Sequence, residues 1–540
     1  MQELSDATKK LIAQYNLSKQ PEILDADSTT IHVDEVALKV AAFYEQIRTV
    51  VEWKEEHLMR RAAIIRKLKR KFFDLELNGF STQNETGESL VLELIRGGHL
   101  PNDKIQESKI EEVQDVINRY VFFIKNSPEY KQGKSGLNFR DWLLEVASCE
   151  IEDTLIPAIE ESALMNFMFE SMKEKIKVSE KIYESGLLEQ DHTDIQIYIA
   201  VQQSLFKLDK PIISYNLLTY KYPNWKKNDE QFLTGISQAI FKIWQNIEND
   251  LINPLSNKFY VICEKYDTPY LLLGDILAEK DIIKNEDILD PADMESLIKK
   301  AYQKRLSTLK TRTKRAAVYS TISIFVTKIL SLFLLLIILS KLIPAEHQSI
   351  IMLMVDVLVP TLLMFAMISL IKTPPEENLN TVIMETMKIV YKKEVTDVYE
   401  IKMKRKKGVT TRVAISLVYA ASTFISFGGI YFIFNYFGFP LSSIIINMIF
   451  IALILFTGTA LSKRAQELTI VNEKENFLSF MADILFLPVQ GLGKWISTKW
   501  KKYNAIATFF NVMIDMPFSI FIEFLEKWRY FIKEKKEEIR

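Results

Sequence analysis

Glycine and proline are scarce in this 540-residue chain, 16 of each, or about 3% apiece where roughly 7% and 5% are usual. Tightly turned sheets, barrels and phosphate-cradling loops all draw on glycine, so the shortage excludes most of them and leaves an almost wholly helical chain. Cysteine occurs only at Cys149 and Cys263. Two cysteines so far apart exclude a disulfide framework and suit a reducing compartment. Neither sign of charge prevails: 68 lysines and arginines face 69 aspartates and glutamates, for a net charge of −1, which argues against a dedicated nucleic-acid binder. The amino terminus, MQELSDATKK, is polar and lacks the apolar core of a signal peptide. The first apolar span is therefore expected to serve as the insertion signal.

Catalytic signatures are missing as well. The chain holds no G-x-x-x-x-G-K-[ST] phosphate loop, no G-x-G-x-x-G dinucleotide loop, no G-x-S-x-G elbow and no H-E-x-x-H zinc motif. The histidines (His32, His57, His99, His192, His347) are scattered without ligand spacing, and neither cysteine has a close partner in sequence. The acidic stretch Glu150–Asp153 and the pair Glu160-Glu161 have the ligand type for a metal, but charged helix faces are far commoner. The expectation is no catalytic residue, no cofactor and no metal.

What the chain does have is long apolar runs. Four of them, Ala316–Ser340, Ser349–Ile371, Val413–Phe434 and Leu441–Leu461, have the roughly 20 residues that carry a helix across the roughly 30 Å hydrocarbon core of a bilayer. Charge alternates sharply between them. Lys310, Arg312, Lys314 and Arg315 crowd the approach to the first, and Lys402, Lys404, Arg405, Lys406, Lys407 and Arg412 precede the third. Of the other two connections, one holds only Lys341 and the other no basic residue. Positive charge near span ends stays cytoplasmic, so the pattern predicts two hairpins in a cytoplasmic membrane with both termini inside.

Before the spans, helix signals dominate. A short helix fits Asp6–Tyr15 within an otherwise loose start. Asp34 suits the cap of a long helix to about Leu77, whose Val51, Leu58, Ile65 and Phe72 recur every seven positions. Its basic residues Arg60, Arg61, Arg66, Lys67, Lys69, Arg70 and Lys71 read as a solvated face. Ser108-Lys-Ile-Glu111 fits a capping box. Further helices are expected near Phe139–Ile176 (restarting at Pro157), Asp194–Lys207, Glu230–Ile247 and Leu255–Tyr266. Asp290-Pro291 is a start signal for a helix that can run on into the first span.

Two ionisable residues sit inside the spans, Lys328 in the first and Asp356 in the second. A charge in lipid is costly unless it has a partner or a use. Counted along two helices that turn at the same height, Lys328 lies roughly 24 Å and Asp356 roughly 10 Å from the hairpin, too far apart for a simple contact. The expectation is a snorkelling lysine and an aspartate satisfied within the bundle; a proton or ion relay is the alternative. In the third span, Ser416/Ala420 and Ser422/Ser426 set small residues four apart, as a close helix contact requires. After Ser462, two apolar runs flank GLGKWISTKWKKYN. The better reading lays this tail on the inner membrane surface, with Lys494, Trp495, Lys499, Trp500, Lys501 and Lys502 at the headgroups, because a third hairpin would carry those lysines outside. Lys404, Arg405, Lys406 and Lys407 are likewise expected at anionic lipid.

Three segments, EEHLMRRAAIIRKLKR (Glu55–Arg70), KRAAVYSTISIFVTKIL (Lys314–Leu330) and ADILFLPVQGLGKW (Ala482–Trp495), resemble bacterial multi-pass membrane proteins that carry a long helical N-terminal region. That group has no established activity, so the resemblance implies an architecture and no function. The sequence reading is thus all-α. Residues 1–310 form a cytoplasmic helical domain, 316–371 a first hairpin, 372–412 a basic loop, 413–461 a second hairpin and 462–540 an amphipathic surface tail. The expected role is a membrane-anchored scaffold or assembly protein on an anionic bilayer, with protein partners and no specific nucleic acid. A small transporter or channel using Lys328 and Asp356 is the alternative, and a membrane enzyme without a recognisable site comes third.

Overall fold

The structure, a computed structural model, describes residues 4–19, 29–33, 56–77, 86–127, 133–227, 229–279, 290–342, 350–391, 397–403, 408–470, 477–503 and short stretches between 521 and 535. Helices dominate them, as the shortage of glycine and proline requires. In chain order come α1 (Asp6–Ser18), α2 (Glu56–Leu77), α3 (Thr86–Arg96), α4 (Ser108–Asn126), α5 (Gly133–Leu155), α6 (Ile159–Lys175), β1 (Ile176–Val178), α7 (Glu180–Glu184), α8 (His192–Leu205), α9 (Lys210–Lys221), α10 (Glu230–Leu251), α11 (Ser256–Lys265) and α12 (Asp267–Glu279). They are followed by α13 (Pro291–Leu342), α14 (Ile350–Ser369), α15 (Glu377–Val390), β2 (Tyr399–Ile401), α16 (Val409–Tyr436), α17 (Leu441–Ala465) and α18 (Phe477–Tyr503).

Local chemistry sets most boundaries. Ser5 caps α1 by accepting the Thr8 N–H. Leu11, Ile12 and Tyr15 of that helix, expected at Asp6–Tyr15, are buried and belong to the core. Pro157 separates α5 from α6, as read from sequence. Asp290 accepts the Ala292 N–H at 2.9 Å and Pro291 opens α13. That helix then runs unbroken for 52 residues from the domain into the first apolar run. Two readings shift. Ser108 is the first helical residue of α4 rather than its cap, because a turn already pairs Lys109 N–H with Gln106 O and Ile110 N–H with Glu107 O. The buried stripe of α2 is Ile64, Leu68 and Phe72, with Ile65 only half-buried. Asp34 and residues 505–520, including the second apolar run of the tail up to that point, lie outside the described residues.

The helical domain is not a product of the first 310 residues alone. The segment read as a basic loop supplies α15, whose Val382, Thr386 and Val390 recur every four residues and are buried. It also supplies β2, which pairs in parallel with β1 (Ile176 opposite Tyr399, Val178 opposite Ile401). Leu4 bridges Tyr391, and Thr8 donates to Val390 O at 3.1 Å. A third segment, just after α17, buries Leu468 and Ile470 in the same core. There Asn378 acts as a clasp: its Nδ2 donates to Leu468 O (2.7 Å) and to Tyr302 Oη (3.1 Å), and its Oδ1 accepts the Ile470 N–H (2.8 Å).

Among the described residues, two helices, α16 and α17, are long and apolar enough to cross a membrane. Apolar side chains stand exposed along α13 (Ile322, Phe325, Leu330), α14 (Leu358, Leu362, Phe365) and α16 (Phe424, Ile425, Phe432). Between these helices lie small apolar contacts, one joining Ala316, Met364, Ile454 and Leu461. Gly458 permits a close approach, since a Cβ there would stand 2.6 Å from Met367 Cε.

Helix α18 packs along α17 and against α16. Its apolar residues are not confined to one face: Val489 and Leu492 pack inward, while Phe480, Phe486 and Leu487 stand exposed.

A charged cluster buried between three apolar helices

Lys328 on α13 and Asp356 on α14 meet. Lys328 Nζ stands 3.1 Å from Asp356 Oδ2, and the two residues are 0% and 3% exposed. The expectation of separate depths fails because it assumed that both helices turn at the same height. It likewise excludes a lysine reaching for a headgroup.

The third helix closes the cluster. Ser443, Asn447 and Phe450 on α17 follow the i, i+4, i+7 spacing that stacks side chains on one helix face. Asn447 Oδ1 accepts from Lys328 Nζ at 3.0 Å. Its Nδ2 donates to Asp356 Oδ1 and, at 3.0 Å, to Ser443 O. Ser443 Oγ donates to Asp356 Oδ1 at 3.1 Å, and the Phe450 ring lies 4.8 Å from Lys328 Nζ, within the range of a cation–π contact. One carboxylate oxygen thus takes the lysine, the other takes two neutral donors, and the asparagine amide is used at both ends. Such saturation lets a charged pair persist away from water, where an unmatched charge would be costly. Chemically, the pair can also hand a proton from Nζ to Oδ2 and neutralise both groups in place. Ser443 and Asn447 escaped the sequence reading, which searched the spans for ionisable groups only. Two polar side chains four apart near the start of an otherwise apolar run were the available signal.

The other charged candidates have structural partners. Glu150, from the acidic stretch, accepts from Arg119 Nη1 (2.5 Å), Tyr120 Oη (2.8 Å) and Trp225 Nε1 (3.1 Å) in the domain interior. Burial and the Glu150 charge push the Tyr120 hydroxyl well above its ordinary range. Burial also raises the Glu152 carboxyl, to about 7, against the pull of Arg61 and Arg60. The basic face of α2, expected to be solvated, is engaged by neighbouring helices. Lys67, Arg70 and Lys71 converge on Glu93, Lys69 pairs with Asp141, Arg60 with Glu152 and Arg61 with Asp209. Neighbouring acidic groups therefore take up most of the charge on this face.

Among the expected lipid contacts, Lys494, Trp495 and Lys499 are exposed on α18. Trp500, Lys501 and Lys502 belong to its last turn, with side chains outside the described residues, and Lys404, Arg405, Lys406 and Lys407 lie outside them altogether. Compared with known proteins, the chain matches no protein-family model, no curated protein and no solved structure.

Proposed function

We propose that this protein is a membrane-anchored scaffold. In this reading a cytoplasmic helical domain is held rigidly on a bundle of crossing helices and presents its surface to protein partners. The observation that carries the reading is the way the domain is closed. Its core takes residues from before α13, from between α14 and α16 (Val382, Ile401) and from after α17 (Leu468, Ile470). Segments that share one core lie on one side of a bilayer, so the chain between them crosses an even number of times. That supports two hairpins, the apolar ends of α13 with α14 and then α16 with α17, with the domain on the positively charged inner side. The charged cluster fits the same role, since its three helices are tied together by side chains that hydrogen-bond to one another.

The test is crosslinking in native membranes followed by identification of what is captured. One or a few proteins recovered with the parent, and lost when exposed residues of the helical domain are changed, support the reading. A second reading, a small transporter or channel, draws on one observation: a dissociable Lys–Asp pair buried where lipid would surround the helices. Ion or proton flux in reconstituted vesicles that Asp356→Asn abolishes while folding is retained would replace the scaffold with it.

A further inference from the structure

We propose that the domain-side ends of α13, α16 and α17 form a belt that binds anionic phospholipid headgroups through Lys310, Arg312, Lys314, Arg315, Arg412 and Lys463. The belt presupposes the two-hairpin scaffold reading and names the lipid class that it meets.

The charged cluster supplies the register. Lys328 and Asn447 touch. Helix α13 runs from the domain toward them, and α17 runs from them back to the domain, where Leu468 is buried. Along α13 at 1.5 Å per residue, Arg315, Lys314, Arg312 and Lys310 lie roughly 20, 21, 24 and 27 Å from Lys328. Along α17, Lys463 lies roughly 24 Å from Asn447 in the same direction. In keeping with that register, Ala316 and Leu461 belong to one small apolar contact. Arg412 and Ala465 each stand 24 residues from the α16–α17 connection, which Tyr436 and Leu441 flank, so Arg412 joins at the level of Lys463. Cations from three helices thus occupy a layer roughly 7 Å deep. The polar region of a bilayer adds roughly 5–7 Å to each side of its hydrocarbon core.

The surroundings of these side chains call for an anion from outside. All six are exposed, and none makes an ion pair or side-chain hydrogen bond among the described residues. Earlier on α13 the basic residues are matched: Lys304 pairs with Glu279 and Arg305 with Asp275, both on α12. Past Arg305, α13 contains no acidic residue. Exposed apolar groups then begin where the charge stops. Val318, Tyr319 and Ile322, all at least half exposed, follow Arg315 within two turns. A soluble acidic partner would match the cations and leave this apolar skirt in water. A phospholipid meets both, its phosphate at the cations and its acyl chains at the skirt, with the tyrosine at a depth where that residue is favoured. A zwitterionic lipid brings its own cation to its phosphate, so the unmatched charge selects a headgroup of net negative charge. Lys494 stands apart from the belt. Its neighbour Gly493 lies against Ala452 O, and Ala452 is roughly 17 Å along α17 from Lys463.

Spin-labelled lipids decide it. The full chain is reconstituted in phosphatidylcholine vesicles with a trace of spin-labelled phosphatidylglycerol or phosphatidylcholine, and electron paramagnetic resonance reads the share of each probe that the protein slows. The parent is expected to hold phosphatidylglycerol several-fold more strongly at low salt, about fivefold for each cation that a headgroup meets. Added salt should shrink that preference. The triple variant Lys314→Gln, Arg315→Gln, Lys463→Gln should bring the ratio close to one, while Lys494→Gln with Lys499→Gln leaves it unchanged. The parent by itself must show the preference, so a variant that fails to reconstitute does not shield the belt. Equal slowing of both probes by the parent overturns it, as does a preference that the triple variant keeps or that only the tail variant removes. Equal slowing together with tight binding of poly-glutamate would give the surface to an acidic protein instead. If neither probe is slowed, the membrane bundle itself falls and the belt with it. Failure to capture any protein partner would remove the scaffold while the lipid preference stands.

Discussion

Replacing Asp356 by leucine removes the carboxylate that Lys328, Ser443 and Asn447 all address. Lys328 keeps Asn447 Oδ1 and the Phe450 ring, but its charge is then unopposed at 0% exposure. Breaking a buried ion pair by removing one partner costs about 3–5 kcal/mol. Lys328→Met leaves a carboxylate with two neutral donors, a milder situation, expected near the lower end of that range at about 3 kcal/mol. The double variant removes both charges and puts apolar volume between helices already surrounded by it, so it should lie within about 1–2 kcal/mol of the parent. The two single losses together far exceed the double loss, and the difference, several kcal/mol, is the coupling that a double-mutant cycle isolates. The assay is reversible unfolding of the purified full chain in detergent or bicelles, followed by circular dichroism for parent, both singles and the double. Singles that each fall within about 0.5 kcal/mol of the parent, with a double equal to their sum, would refute the ion pair and restore the snorkelling lysine.

Two further outcomes follow from the domain. Asn378→Ala strips the Leu468 carbonyl and the Ile470 N–H of their partner, at about 1–3 kcal/mol per orphaned group; limited proteolysis should then cut near Thr469 much faster than in the parent, and unchanged cutting would show that the clasp is dispensable. Asp267 is 1% exposed, and burial lifts its carboxyl to about 8 despite the opposing charge of Lys207. Its folded pKa thus exceeds the unfolded value of about 3.9, so the folded state holds the proton longer and stability falls as pH rises from about 4 to about 8, by at most about 1.4 kcal/mol per pH unit. Asp267→Asn removes that slope, so its advantage over the parent should grow between pH 5 and pH 8 in thermal unfolding; parallel profiles would refute the assignment.

Much of the architecture was legible in composition and local signals, because those signals act over a few residues. Scarce glycine and proline meant helices. Pro157 and Asp290-Pro291 acted within a turn of themselves, and runs of roughly 20 apolar residues declared lengths suited to a bilayer. What escaped was every partnership between distant segments. Residues 372–412 read as a loop because β2 is three residues long and α15 is only half apolar, and each is stabilised by a core built mostly by other parts of the chain. The basic face of α2 read as solvated because Glu93, Asp141, Glu152 and Asp209 lie on other elements. The tail read as amphipathic because sequence gives the periodicity of one helix and not the Gly493–Ala452 contact that places it against another. In the charged cluster, the sequence by itself determined that two charges lie within apolar runs and therefore need an explanation. Only the tertiary structure decided that they explain each other, since the offset between two helices and the presence of Asn447 on a third are properties of packing, which no local pattern encodes.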